Sequence, residues 1–378
     1  MKKFKISMLS LALLALAGCG GGGDDAIPVD DSVSSVKVFG DSLADVGTFG
    51  IRFTVQTGEA STFPERVAAA YGLSGQCNYY AFTGTTFTLN SKAGCTNYAI
   101  GCGVINNSNP ADPRGIPLQL VAANGFKPSD LLLIDGGGND AANLVSAYLS
   151  VPKDKGDAYA KLLGTLLPSD QVGTALAGGA SSIAAIGVPY MQALAQKFAS
   201  SIKDQALDKG ARRVALLNMP GITNTPRFQT VLDSIAAASG GGTAGATARA
   251  QSEALFKSWV EAYNAELAKQ FNGQDKVVIV DFYTTFNQQM ATPAQFGLSN
   301  VKTPACPVKG LGSDGLPSYD FPSCTAPALS ANPPAGVSGG ADWWKTYLFS
   351  DGFHPTPLGH QQIASAITTA LKAKGWLK

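Results

Sequence analysis

The sequence predicts an α/β fold in three layers, with a mostly parallel central sheet covered by helices on both faces. Two observations predict it. Four short runs, 36–39, 130–135, 213–218 and 277–281, are apolar nearly throughout, which is how strands buried on both faces read. Segments with apolar residues at helical spacing lie between them, and that alternation marks a parallel sheet.

The first run, Val36-Lys37-Val38-Phe39, ends at Gly40. A helix is expected over 63–71, stopped by Gly72. Residues 74–128 are rich in Asn, Gly, Pro and Thr and read mostly as loop. The second run stops at Gly136-Gly137-Gly138, and a helix should follow over 140–149. Leu194, Phe198 and Ile202 form one apolar stripe on a helix over 191–209, with Gly210 as its stop. The third run halts at Pro220. A small-residue linker, 240–245, leads to a helix over 247–271, and the fourth run follows. Residues 292–342 read as an irregular insertion. Ile363, Ile367 and Leu371 share a face of the C-terminal helix. These elements form one domain, 36–378, with insertions at about 74–128 and 292–342.

Of the 378 residues, 45% are hydrophobic and 15% charged, enough for a sizeable core. The net charge is +1, so no basic field exists to hold a phosphate backbone and no nucleic-acid partner is expected. Lys2, Lys3 and Lys5 precede an apolar stretch, 6–17, too short to span a bilayer and ending in small residues. Residues 1–18 therefore read as a secretory signal peptide. Leu16-Ala17-Gly18-Cys19 resembles the bacterial lipobox, which implies lipidation of Cys19, a membrane anchor and a cell-envelope location. Gly20, where retention signals carry Asp, resembles outer-membrane lipoproteins. Residues 19–35 then serve as a Gly-rich tether. Export permits disulfides. Cys306 and Cys324 flank a loop rich in Gly, Pro and Ser and are expected to pair. Cys77, Cys95 and Cys102 allow one bridge and leave one thiol, and spacing does not choose among them. No Cys/His cluster suggests a metal.

There are two histidines, His354 and His360. His354 lies in Asp351-Gly352-Phe353-His354-Pro355, where Asp351 can curl back onto Nδ1, fix the tautomer and stabilise an imidazolium. Ser42, in Gly40-Asp41-Ser42-Leu43, directly follows the first run and would expose its Oγ at the carboxyl edge of the sheet, where ligands bind in such folds. Gly136-Gly137-Gly138-Asn139-Asp140 follows the second run, and the Asn139 amide is a neutral donor suited to a developing oxyanion. A rival reading exists for this segment. Gly136-x-Gly138-x-x-Ala141 fits a loose dinucleotide fingerprint, with Asp154 and Asp157 as acidic partners. It does not stand in the first strand–helix unit, which disfavours it.

Taken together, Gly40-Asp41-Ser42-Leu43, Gly137-Gly138-Asn139-Asp140 and Asp351-Gly352-Phe353-His354 resemble, in order, three signature blocks of the GDSL/SGNH hydrolases. Asn97-Tyr98-Ala99-Ile100-Gly101 is similar to the remaining block, whose backbone N–H completes the oxyanion hole. Larger members carry two glycines there; this chain has Gly101-Cys102, so the donor is one or the other. The resemblance covers 36–378. It implies the three-layer, flavodoxin-like SGNH fold and a cofactor-free serine hydrolase cleaving carboxylic esters of lipid, short-chain or polymeric type. Ser42, Asp351 and His354 would be catalytic, and Ser42, Gly101 or Cys102, and Asn139 would bind the oxyanion. Two alternatives are an O-acetyl-polysaccharide esterase and a non-catalytic envelope binding protein of the same fold. Asp41 and Asp140 are expected to hold their loops, His360 to pack or start a helix, and Asp281 to tie down a neighbouring loop. Trp343 and Trp344 would line an acyl pocket, meet lipid or pack in the core.

Overall fold

The computed structural model describes residues 32–58 and 61–378. The expected signal peptide, Cys19 and the tether up to residue 31 lie outside the described residues.

The four apolar runs form one parallel sheet in chain order: β1 (Ser35–Phe39), β2 (Asp130–Ile134), β3 (Arg213–Leu217) and β4 (Val277–Val280). Phe39, Ile134, Leu216 and Ile279 stand in one row across it, so the segments after them leave the sheet at one carboxyl edge. Side chains alternate along each strand. Val36, Val38, Leu131, Leu133, Ala215 and Leu217 face one way. They meet α1 (Phe63–Ala70), α7 (Phe282–Ala291) and α8 (Pro357–Ala373). Phe39, Leu132, Ile134, Val214 and Leu216 face the other way. There they meet α2 (Ile116–Ala122), α3 (Gly138–Asp154), α4 (Gly187–Ile202) and α6 (Gly242–Gln270), with α5 (Pro226–Ala238) packed beside α6. Each fully buried Leu, Ile or Phe on these faces stabilises the fold by roughly 1.5–3 kcal/mol. The three-layer α/β arrangement expected from the sequence is present.

Several boundaries differ, and the reasons are tertiary. The helix expected at 140 opens at Gly138, behind Gly137 at φ +98°, and runs past Pro152 to Asp154. The helix expected at 191 opens at Gly187, where a Cβ would stand 2.2 Å from the Trp259 ring. That glycine is a packing site between α4 and α6. Beyond Ile202 the chain makes a π-helical turn, Lys203–Leu207, before Gly210. The small-residue linker is mostly helix: α6 starts at Gly242, and Gly245 lets it approach α5, since a Cβ there would lie 2.5 Å from the Ala236 carbonyl. The segment 74–128 holds α2 and a hairpin, Tyr80–Phe82 with Phe87–Leu89.

Cys77 bonds Cys95, Cys306 bonds Cys324, and Cys102 is a free thiol. Trp343 and Trp344 are buried in a satellite cluster with Tyr347, Phe321 and the second disulfide. Their indole N–H groups donate to Leu329 O at 2.8 Å and Ser330 Oγ at 3.1 Å. Packing, not an acyl wall, is their role.

Candidate active site

The carboxyl edge of the sheet gathers the motif residues. β1 delivers Gly40, Asp41 and Ser42 into a tight turn in which Asp41 Oδ1 accepts from Leu43 N at 3.0 Å. Gln119 on α2 grips the start of this turn. Its Oε1 accepts from Gly40 N at 2.8 Å and its Nε2 donates to Gly40 O at 2.9 Å. Gly40 has no room for a side chain, because a Cβ would stand 1.5 Å from Asp135 Oδ1.

His354 approaches from the loop before α8. Its Nε2 lies 2.7 Å from Ser42 Oγ, and its Nδ1 lies 2.9 and 3.0 Å from the two Asp351 oxygens. Asp351 Oδ1 also accepts from Phe353 N at 2.8 Å and His354 N at 2.6 Å, so the carboxylate organises its own loop. Burial would lower the His354 pKa, but the Asp351 charge and hydrogen bond outweigh it and the net shift is upward. Burial likewise would raise Asp351, but His354 and the loop N–H groups hold it below the usual carboxylate range.

The imidazole is caged by the Phe53 ring at 5.2 Å and the Phe321 ring at 5.6 Å. The loop is anchored by Ser350. Its Oγ donates to Pro355 O at 3.0 Å, its N–H donates to His354 O at 2.7 Å, and its carbonyl accepts from Cys306 N at 2.8 Å. One function of the insertion 292–342 is thus mechanical: its disulfide-tied segment pins the loop carrying His354.

The turn 100–103 bears on the open choice between Gly101 and Cys102. Gly101 N donates to Asp45 Oδ2 at 2.9 Å, so it does not point into the site. Asp45 is fully buried, and its Oδ1 accepts from Gly47 N at 2.9 Å and Thr48 N at 2.8 Å. The next residue, Cys102, takes φ +62°, a left-handed conformation that strains a side chain. Among the described residues no hydrogen bond engages the N–H of Cys102 or of Ser42. Both residues line the cavity at Ser42, as does Asn139. The Asn139 Nδ2 donates to Gly103 O at 2.9 Å and lies 3.4 Å from Asp41 Oδ2. Its amide is held in place from the turn that carries Cys102. Burial, then the Asp41 charge, pushes the Cys102 thiol up, so it stays protonated.

Four buried acids surround this geometry. Asp140 accepts from Ile105 N and Asn106 N, each at 2.9 Å, and burial pushes it up to about 6. Asp41 is raised by burial. Asp135 is raised well above its ordinary value, first by burial and then by the Asp41 charge. Asp45 is raised by burial against its three N–H bonds. Asp41 and Asp135 line the same cavity as Gly136 and Gly138, and two acids beside that turn argue against a pyrophosphate there and so against the dinucleotide reading. Asp154, its acidic partner in that reading, binds Gly156 N at 2.9 Å at the far end of α3.

His360 is fully buried on α8, stacked on Phe63 at 6.2 Å, with Nδ1 accepting from Phe63 N at 3.3 Å. Burial lowers it to about 3, so it is a neutral packing residue. Asp281 caps α7 through Thr284 N and receives the Asn218 amide, each at 3.0 Å.

Sequence reading missed Asp45, Gln119 and Asp135. Asp45 had a local signal, an acid three residues beyond Ser42. Gln119 sits 79 positions from its partner and had none.

Residues 36–367 match the sequence profile of the GDSL-like lipase/acylhydrolase family. The chain is 25% identical to Lipase 1 of Photorhabdus luminescens, in an alignment covering 98% of this chain and 53% of that protein. It is 26% identical to an uncharacterized protein of the trpE-trpG intergenic region of Pseudomonas putida, over 99% of this chain and 53% of that protein. The chain spans about half the length of these curated relatives. With a profile match across most of its length and the family's motif residues gathered at one sheet edge, the chain belongs to the GDSL-like lipase/acylhydrolase family.

Proposed function

We propose that this protein hydrolyses carboxylic esters through an acyl-enzyme on Ser42. The observation that carries the reading is the 2.7 Å contact of Ser42 Oγ with His354 Nε2, with Asp351 on the other ring nitrogen, at the mouth of an apolar cavity. His354 takes the Ser42 proton as Oγ attacks the ester carbonyl. The oxyanion is held by the N–H groups of Ser42 and Cys102 and by the Asn139 amide. The tetrahedral intermediate expels the alcohol, which leaves with the proton from His354. A water deprotonated by His354 then attacks the acyl carbonyl. The acid departs and Ser42 recovers its proton.

The test is hydrolysis of p-nitrophenyl butyrate and labelling by a fluorophosphonate. Wild type should do both, and Ser42→Ala should label not at all and lose about 10⁶-fold in kcat. A folded wild type inert to both reagents, or a fully active Ser42→Ala, overturns the proposal.

The setting we infer is the bacterial cell envelope, with lipid attached to Cys19. The disulfides Cys77–Cys95 and Cys306–Cys324 support an oxidising compartment. Fatty-acid labelling of cells should mark the wild type and not Cys19→Ala; equal labelling of both refutes the anchor.

A further inference from the structure

The cavity that opens at Ser42 has a volume of about 350 Å³ and runs inward between the sheet and the helices α7 and α8. Its inner wall is Leu217, Phe282, Phe286, Phe349 and Ile363. Such a wall offers nothing to a sugar and suits a hydrocarbon chain. Phe282, Phe286 and Gln289 recur at i, i+4 and i+7, so they share one face of α7. They span about 10 Å along its axis at 1.5 Å per residue.

Gln289 breaks the apolar pattern. It lines the cavity, is only 1% exposed, and its Nε2 has no hydrogen-bond partner. A buried amide left unpaired costs roughly 1–3 kcal/mol, a penalty a leucine at the same place would not carry. The amide sits two helical turns along α7 from Phe282, where the helix leaves the carboxyl edge of the sheet, so the topology sets it away from the edge that carries Ser42. Its chemistry is that of a receptor for a polar group at the far end of an otherwise apolar ligand.

We propose that the acyl group this site accepts is a medium-length chain bearing a hydroxyl near its far end, bound by Gln289. The inference rests on the esterase reading above and adds the substrate class. The length follows from volume. A cavity of about 150 Å³ holds benzene, so about 350 Å³ takes some fourteen carbon-sized atoms. With the ester atoms subtracted, the acyl chain has about ten carbons. A hydroxyl can accept from the amide N–H and donate to its oxygen, so recognition holds whichever way the amide is turned.

The experiment compares p-nitrophenyl butyrate, decanoate and 10-hydroxydecanoate with wild type and Gln289→Leu. Wild type should favour 10-hydroxydecanoate over decanoate by about tenfold or more in kcat/KM, because decanoate leaves the amide unpaired. Gln289→Leu should lose or reverse that preference, keep its butyrate activity and melt no lower than wild type, since leucine carries no unpaired amide. A wild type that hydrolyses butyrate and shows no preference for the hydroxylated chain overturns this inference and leaves the esterase reading intact. Calorimetry of methyl 10-hydroxydecanoate and methyl decanoate with Ser42→Ala reads the pocket without turnover. Tighter binding of the hydroxylated ester, abolished by adding Gln289→Leu, supports the inference even if no ester is hydrolysed. Equal or absent binding of the two overturns it.

Discussion

Asp45 is the residue on which the proposed oxyanion hole depends without touching the substrate. One of its oxygens accepts from Gly47 N and Thr48 N, and the other accepts from Gly101 N at 2.9 Å. The last bond turns Gly101 away from the cavity and leaves the Cys102 N–H as the backbone donor beside Ser42. In Asp45→Asn the shape is kept, but the amide presents an NH₂ where one oxygen stood. Whichever way it turns, one set of backbone N–H groups then faces a donor. The loss in stability should be about 1.5–3 kcal/mol, the worth of one hydrogen bond to a charged group. If the turn at 100–103 relaxes and the Cys102 donor is displaced, kcat should fall by roughly 10²–10³, or about 2.7–4 kcal/mol of transition-state stabilisation. KM should move little, because the interaction matures only in the transition state. The assay is steady-state hydrolysis of p-nitrophenyl butyrate, alongside denaturant unfolding. A folded Asp45→Asn enzyme with kcat within about threefold of wild type would refute the assignment of Cys102 as donor and of Asp45 as its support.

The remaining predictions concern pH and packing. Since His354 must be neutral to act as base and its pKa is raised, kcat/KM should climb with pH and level off at an apparent pKa above the ordinary 6.5; a midpoint at or below 6.5 contradicts the Asp351 pairing. In Asp351→Asn the burial of His354 is unopposed by that charge, so the midpoint should move down while kcat falls by about 10⁴. Gly40→Ala drives a Cβ to 1.5 Å from Asp135 Oδ1 and should cost about 1–3 kcal/mol in denaturant unfolding. Gly173→Ala, in a helix with open space around it, should instead gain about 0.5–1 kcal/mol. Equal effects of the two glycine substitutions would refute the steric account.

Much of the fold, and the short motifs that hold Ser42, Asn139, Asp351 and His354, were legible because their determinants are local. β1 to β4 announce themselves as apolar runs, the first three followed within three residues by Gly or Pro, and strands buried on both faces have few other ways to read. Asp351 and His354 lie three residues apart, and Ser42 and Asn139 lie just past strands whose carboxyl ends share one edge. What the sequence withheld depends on partners far along the chain. Gly187 and Gly245 look like helix breakers in isolation; they sit inside helices because Trp259 and Ala236 leave no room for a Cβ. Cys95 and Cys102 are equivalent by spacing, and only the fold brings Cys95 to Cys77. Gly101 and Cys102 both offer an N–H, and the choice is made by Asp45, 56 positions away, which consumes the first. Gln289 reads as one polar residue on an amphipathic helix; its burial in the wall of the cavity is a property of α7 packed against the sheet and α8. The sequence by itself determined the four central strands, the main helices and the order of the chemical groups, since backbone propensity and hydrophobic period act over a few residues. The tertiary structure alone decided which backbone N–H is left unengaged, which thiol is left over and which side chains line the cavity, because each is settled by competition among groups that only folding makes neighbours.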